Sequence, residues 1–368
     1  MVKSLFIGQF SQGGITAASS AAGDIVQAQI IEEIEKLSIT EESQFLCMAP
    51  NPCWPRGKIF HKGKKVAAGR FISYLNLPVI KNIVFSLQIF LTILKIKPDI
   101  ITQYNSYLWE NITLLFSRFL FGKKIVCIVQ DIRVTGDFSF RAKLNDKLSC
   151  SLLKYFNFTI PVSEALARYL KLREESYLVF EGGVTSFGFE AIKVKEYEEE
   201  YAVYAGALEK YNGVDRLIKV WNEFSIPLDL HIFGSGRLET EVKELSKHCN
   251  NIIYHGLVSQ GEVLEWQKKS KYNFCFRYSD GLNQDFFFPS KFFNVSLCPG
   301  LLICNDFNGV PEITRNSPGY IGQDINNINK IVKLNSNEIR KSADFIRERI
   351  IIDYSWSRIL NLVYSRLL

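Results

Sequence analysis

The stretch YNFCFRYSDGLNQDFFFPSKFFNVSLCPGLLICND, residues 272–306, holds two short apolar runs separated by a polar loop and a helix-like segment. Runs rich in aromatic and β-branched side chains, bounded by turn residues, read as buried strands. The loop over residues 279–285 is rich in turn formers, and Pro289 suits the first turn of a helix. Strand, loop, helix and strand in this order predict a crossover between parallel neighbours. The same stretch carries the richest chemistry of the chain. Arg277 directly follows the first strand, while Ser290 and Lys291 bring a hydroxyl, backbone donors and a cation to the helix start. That combination suits a phosphate, to which Arg277 adds a bidentate contact. A structural arginine and a solvated lysine are each common, but their coincidence at one helix start favours a functional reading.

The same rhythm extends along the chain. Strand-like runs KSLFIGQ, SQFLCMA, DIITQYN, KIVCIVQD and FNFTIPVS alternate with helical patterns near residues 24–37, 79–94, 109–120 and 143–155. YAVYAGA, LDLHIFG, NIIYHGL, YNFCFRY and GLLICND repeat it, with helices near 213–224, 237–248 and 260–270. Such alternation predicts an α/β protein with helices on both faces of parallel sheets, here two Rossmann-like units in tandem. At 368 residues the chain exceeds what one core of ~100–150 residues supports. The charged segment KVKEYEEE, residues 193–200, reads as the linker between a first domain at 1–192 and a second at 201–350. Residues 351–368 form a terminal helix with Trp356, Ile359, Leu360, Val363 and Leu367 along one stripe. Two glycine turns follow strands, at Gly13–Gly14 and at Gly234-Ser235-Gly236, where a backbone can approach a ligand. Neither has dinucleotide-fingerprint spacing, and plain strand–helix turns or close packing compete with ligand binding at both.

Several segments together resemble a family. VYAGALEKYNGVDRLIKVW, LHIFGSGRL, IIYHGLVSQGEVLEWQKKS and FPSKFFNVSLCPGLLICND occur in the order seen in GT-B glycosyltransferases of the family 4 type. IVQD at residues 128–131, PVSEALARYL at 161–170 and FEGGV at 180–184 are looser landmarks, and DYSWSRI resembles the family's closing helix. The resemblance spans essentially the whole chain and is strongest over residues 201–313. It implies two Rossmann-like doubly wound domains facing a cleft, with a C-terminal helix crossing back to the first. It further implies a retaining, metal-independent transfer of a sugar from a UDP- or GDP-sugar, with no cofactor beyond that donor substrate.

By the same resemblance the donor base lies near His255, Gly256, Leu257 and Val258, and the ribose near Asn294. The diphosphate falls to Gly13, Gly14, Arg277, Ser290 and Lys291, with Gly206, Lys210, Gly234, Gly236 and Arg237 around the donor. Asp131, Arg277 and Lys291 are the expected catalytic residues, and Gln130 and Arg133 the expected acceptor contacts. The sequence departs from the family in places. Asn294 and Phe286 stand where an E-x7-E pattern usually places glutamates, Gln130 replaces a histidine, and Ala207 and Asn212 replace two cations.

Composition narrows the alternatives. Apolar residues at 47% and charged ones at 22% disfavour a disordered or fibrous chain. No Asp-x-Asp occurs, so leaving-group charge falls to cations and helix starts rather than to a metal. Eight cysteines without a C-x-x-C pair read as free thiols, and four scattered histidines argue against a metal centre. The formal charge is +6; residues 1–190 carry 22 basic and 16 acidic side chains, and residues 191–368 carry 22 of each. The excess gathers partly at PRGKIFHKGKKVAAGR, residues 55–70, which holds no acidic residue. This predicts an anionic membrane surface or lipid-diphosphate-linked acceptor as partner, rather than nucleic acid, for which no aromatic-basic motif is present. The apolar segment that follows reads first as a core helix with basic ends. No signal peptide or bilayer-length run is evident, so the expected location is the cytoplasm or the inner face of a plasma membrane.

The function expected is therefore a transferase extending a bacterial-type surface glycan on a glycan or lipid-linked acceptor. The alternatives are a catalytically silent GT-B protein that binds nucleotide sugar or scaffolds a partner, and a GT-B-fold sugar-nucleotide epimerase.

Overall fold

A computed structural model describes residues 1–11, 21–66, 68–132, 139–184, 193, 196–278 and 284–368. Gly13, Gly14 and Arg133 lie outside the described residues. The chain divides into two compact units, the first formed by Met1–Gly182, Asp285–Phe287 and Trp356–Leu368, the second by Gly183–Gln284 and Phe288–Ser355.

The first unit is built on a seven-stranded sheet. Its main strands are β1 (Val2–Gly8), β2 (Thr40–Cys47), β7 (Ile100–Tyr104), β8 (Lys124–Val129) and β9 (Phe158–Pro161). Four short strands, β3 (Phe60–His61), β4 (Lys65–Val66), β5 (Gly69–Phe71) and β6 (Tyr74–Leu75), occupy the basic segment and its sequel. The order is β4-β5-β2-β1-β7-β8-β9, parallel except where β4 meets β5. Strands covered on both faces are apolar throughout, as in β8, where every residue after Lys124 is buried. The helices are α1 (Ala21–Lys36), α2 (Ile80–Ile96), α3 (Leu108–Phe121), α4 (Phe140–Leu152) and α5 (Glu164–Tyr169). The terminal helix Trp356–Leu367 joins this unit and packs on α1. It buries Trp356, Ile359, Leu360, Val363 and Tyr364. The Tyr364 hydroxyl lies 2.9 Å from Ser4 Oγ and 2.8 Å from Thr102 Oγ1, bonding the helix to β1 and β7.

The second unit has five parallel strands, β10 (Glu199–Ala205), β11 (Asp229–Phe233), β12 (Ile252–Gly256), β13 (Ser270–Cys275) and β14 (Leu301–Cys304), in the order β12-β11-β10-β13-β14. Trp221, Tyr204, Tyr272 and Phe274 fill its main core. In both units the first strand is central, the next strands add on one side, and the chain then returns to the other side. The order thus reverses beside β1 and β10, between β1 and β7 and between β10 and β13. Crevices at the carboxyl ends of strands at such reversals are where open α/β sheets take ligands.

Candidate functional site

In the second unit, the carboxyl edge of the sheet is tied together mainly by backbone. Gly206 donates its N–H to Phe233 O (3.0 Å), Leu208 to Ser235 O (3.0 Å), and Gly234 to Gly256 O (2.8 Å). Gly234 has φ +129°, and a Cβ there would lie 2.0 Å from Gly206 O; a Cβ on Gly236 would lie 2.6 Å from Leu208 O. The glycine turn is thus a tight turn at a strand end that also lets two backbone segments pack closely, as the close-packing reading expects.

Two of the cations singled out in the sequence meet at this edge. The helix beginning at Lys291 (Lys291–Ser296) sends its first side chain back to the end of β10. The Lys291 ammonium donates to Ala205 O (2.9 Å) and sits 4.7 Å from the Tyr204 ring centroid. A Cβ on Gly206 would come within 2.7 Å of it, so the glycine leaves the room it occupies. Arg277 lies just past β13. Asn305 holds its backbone, accepting from Arg277 N (2.8 Å) and donating to Arg277 O (2.7 Å), and its guanidinium lies 4.7 Å from the Tyr211 ring centroid. Burial pushes the Lys291 ammonium below its ordinary pKa, the Cys275 thiol opposes this, and the Arg277 charge adds to it. Cys275 beneath them is itself pushed up to about 11 by burial and so stays a neutral thiol. Lys291 forms no ion pair among the described residues. Two cations sharing a poorly solvated edge favour an incoming anion.

Other residues expected on the donor side are more exposed or only part-buried. Ser290 is exposed, makes no side-chain cap, and starts a helix of six residues, so any helix-end field there is small. Asn294 is part-buried on that helix. Lys210 is exposed, and Arg237 is exposed with its backbone N–H donating to Glu209 Oε1 (3.1 Å) and its Nε 3.9 Å from Glu209 Oε2. Asn212 and Ala207, which stand where the resemblance implies cations, bond to each other: Asn212 Nδ2 donates to Ala207 O at 2.9 Å.

At the end of β12, Gly256 takes φ +76° and Leu257 is 78% exposed. The His255 ring turns inward instead, stacked on Phe233 at 4.4 Å and 2.8 Å from His231 Nδ1 through its Nε2. Val258 packs on the cluster of Val203, Ala205 and Phe233. Burial and the neighbouring His255 lower the His231 pKa to about 4, with Asp229 opposing, and burial also lowers that of His255.

The first unit's carboxyl edge is built from side chains. Asn105, at φ +58°, accepts from the backbone N–H of Gln130 (2.9 Å) and of Asp131 (3.2 Å) and so positions both. Gln130 Nε2 donates to Phe180 O (3.3 Å), and Asp131 is exposed. Glu110, which sequence reasoning passed over, is 2% exposed and accepts from Gln9 Nε2 at 2.9 Å. Burial pushes its carboxyl up to about 7. Its only sequence signal is a single acid near the start of an apolar helix, and Asn105 is marked only by its place directly after a strand. Phe286 packs against Tyr169 in a tilted arrangement with ring centroids 5.2 Å apart.

No protein-family model matches the chain, and no curated protein matches it in sequence. Solved structures match it over nearly its full length. Sucrose-phosphate synthase from Thermosynechococcus elongatus superposes with a TM-score of 0.69 at 13% identity, covering 99% of each chain. Anabaena HepE in complex with UDP gives 0.66 at 12%, again covering 99% of each chain. The lipopolysaccharide outer core galactosyltransferase WaaB gives 0.62 at 16% with the same coverage. At these identities the likeness establishes the fold, which is that of GT-B glycosyltransferases: two Rossmann-like units with parallel sheets.

Proposed function

We propose that the protein is a glycosyltransferase that takes a sugar from a nucleotide-diphosphate donor and delivers it to a glycan or lipid-linked acceptor. The supporting observation is the pairing of Arg277 and Lys291 at the order reversal of the second sheet, where Lys291 is held on Ala205 O beside Gly206. Sugar transfer develops positive charge on the anomeric carbon and negative charge on the departing diphosphate. Fixed cations at the edge stabilise the second of these without reorganising during the reaction. Arg277 offers a fork to two phosphate oxygens, and Lys291 a point charge. Asn294 supplies an uncharged ribose contact, with the base placed by the turn at Gly256, Leu257 and Val258 and Ser290 adding a hydroxyl to the phosphates. Gly13, Gly14, Lys210, Gly236 and Arg237 complete the donor surround, while Gln130, Asp131 and Arg133 face the acceptor. A retaining, metal-independent transfer within the family 4 type follows from the resemblance, as does a role in surface polysaccharide synthesis at a cytoplasmic membrane face.

One observation favours a silent nucleotide-sugar binder. The Asn212–Ala207 hydrogen bond occupies positions where relatives carry cations, so part of the family's charge is missing. A thermal-shift panel of nucleoside diphosphates and their sugars, followed by nucleoside diphosphate release, separates the two. An active transferase is stabilised by one base series and slowly releases its diphosphate, and Arg277→Ala and Lys291→Ala abolish that release. Stabilisation without release selects the silent binder. Undiminished release by both variants would overturn the phosphate assignment.

A further inference from the structure

The outer side of three neighbouring helices in the first unit is apolar where helices on a sheet are ordinarily polar. On α2, Phe85, Ile89 and Ile93 face inward, yet Ile83, Leu87, Leu91 and Leu94, spaced three and four apart, are exposed. This corrects the expectation of a core helix. On α3, which packs beside α2, Ile112, Phe116 and Phe119 repeat the spacing, with Phe119 82% exposed. On α4, which packs beside α3, Phe140, Leu144 and Leu148 do the same. The seams between these helices are closed, by Phe90 against Phe116 and Phe121 and by Asn111 Nδ2 donating to Ser149 O at 2.9 Å. The exposed rows therefore lie on adjacent, well-packed helices and form one face. Contiguous apolar surface of this kind marks a binding surface.

Charge selects the occupant. α2 contains no acidic residue, and the carboxylates of α3 and α4, Glu110 and Asp146, are buried. The cations stay outside: Lys95 ends α2, and Arg141 and Lys147 are exposed on α4. Beside the end of α2, Lys3, Lys65, Arg70 and Lys95 line a hollow of about 540 Å³, with Arg70 donating to Gln88 Oε1 (3.0 Å) and Thr92 Oγ1 (2.9 Å) of that helix. Within that hollow Glu42 is the one carboxylate, and it pairs with Lys3 at 3.3 Å.

A second copy of the chain would bring the same cations against themselves. An apolar face whose three helices expose no carboxylate, edged by cations and with Glu42 at that edge paired to Lys3, complements acyl chains beneath anionic headgroups. We infer that the α2–α4 face docks on an anionic lipid bilayer, seating its apolar rows at the acyl boundary and its Lys and Arg edge among headgroup phosphates. Among the described residues no helix is long and apolar enough to cross a membrane, so this is attachment along a surface. The inference rests on the lipid-linked-acceptor part of the proposed function, and its test is independent of sugar transfer.

The test is flotation of the full chain, without donor, on vesicles of phosphatidylcholine alone and with roughly a third phosphatidylglycerol. The expected result is at least ~10-fold stronger partitioning onto the anionic vesicles, falling about 10-fold as salt rises from ~0.1 to ~0.5 M. The double variant Leu87→Glu with Phe119→Glu is expected to lose binding at least ~10-fold, because both side chains are exposed and the change opposes burial and charge together. Lys95→Glu with Lys147→Glu is expected to weaken binding to anionic vesicles while leaving the weak binding to neutral ones unchanged. Melting temperatures confirm that each variant folds, and nucleoside diphosphate shifts, retained in both, keep this result separate from the donor-site reading. Three outcomes each overturn the inference: equal partitioning on both vesicle types, no partitioning by the folded protein, or a solution dimer that the Leu87→Glu and Phe119→Glu variant dissociates.

Discussion

The carboxyl edges of the two sheets occupy equivalent places in equivalent topologies, yet they are made of different material. In the second unit the edge is mainly backbone against backbone, drawn in by Gly206, Gly234 and Gly236, and its placed charges are cations. In the first unit the edge is assembled from side chains, with Gln9, Gln27, Asn105, Gln130 and Glu110 bonding one another or nearby backbone. A backbone edge changes little when surface residues change, which suits a ligand part common to many reactions, such as a diphosphate. An edge of amides and carboxylates is altered by any substitution, which suits a variable acceptor. The outer faces differ too. Helices of the second unit carry ion pairs such as Lys243–Glu239, Lys247–Glu244 and Arg349–Asp353, whereas α2–α4 expose apolar side chains and cations. That contrast gives the first half's excess of basic residues a location.

The largest effect that tests this contrast is expected at Gly234. A Cβ there meets backbone at 2.0 Å and the residue sits at φ +129°, so neither a rotamer change nor a side-chain shift relieves the clash. Gly234→Ala is expected to lose about 3 kcal/mol or more of unfolding free energy in urea titrations. A loss below about 1 kcal/mol would show that the edge yields, and the contrast between the units would fail.

Next in size is Lys291→Ala, expected to lower donor hydrolysis on the order of 10²-fold or more, the range seen when one preorganised charge partner is removed. Gly206→Ala is a second probe: the nearest atoms to its Cβ would be the ammonium of Lys291 at 2.7 Å and that side chain's aliphatic carbons, and φ +158° adds backbone strain. It should push the ammonium off Ala205 O and reduce turnover with the lysine itself retained. The pH dependence has a defined sign. An anion beside Lys291 raises a pKa that burial had lowered, so nucleoside diphosphate affinity is greatest below the free-protein pKa and declines as pH rises through it. Lys291→Met should flatten that decline in calorimetric titrations.

Glu110 supplies the matching experiment in the first unit. Burial raises its folded-state pKa from 4.5 to about 7, so the folded protein holds the proton more tightly than the unfolded chain. Stability is therefore highest below the unfolded value and falls as pH rises between the two, with the cost fully present above about pH 7. Glu110→Gln keeps an acceptor for Gln9 and removes the ionisation. It is expected to match the parent near pH 4 and to exceed it by roughly 3 kcal/mol near pH 8. Parallel stability curves for the two proteins would mean that the carboxyl is solvated.

How much of this was legible in the sequence follows from what each feature depends on. The ten main strands could be read because buried parallel strands are continuous apolar runs between turn residues, and their alternation with helices pointed to parallel sheets, whereas the order of strands within each sheet is not carried by that alternation. Arg277 and Lys291 could be picked out as chemistry beside a strand end and a helix start. The bond from Lys291 to Ala205 could not, because it joins positions 86 residues apart. Short strands such as Lys65–Val66 carry no periodicity, and a helix apolar on every side, as α2 is, reads as buried whether or not anything covers it. Glu110 was hidden for the converse reason, since one acid in an apolar helix shows neither a motif nor a period.

The smallest effect is the one that isolates edge material from edge position. Gly8 ends β1 as Gly206 follows β10, and a Cβ on it would also clash, at 2.3 Å from Gln27 Oε1 and 2.8 Å from the Phe6 ring. Here, however, the nearest obstacle is the end of a side chain that has torsions with which to retreat. Its retreat sacrifices the hydrogen bond it accepts from Gln9 N at 3.0 Å and disturbs the one that Gln27 Nε2 donates to Gln9 O at 2.9 Å. Losing one such bond costs about 1 kcal/mol. Gly8→Ala is therefore expected to lose about 1 kcal/mol, well short of Gly234→Ala, measured under the same urea conditions. Because Gln9 also holds Glu110, the same substitution should shift the pH at which the Glu110 contribution disappears. Equal losses at the two glycines would mean that both edges are rigid and that their difference in material has no mechanical consequence.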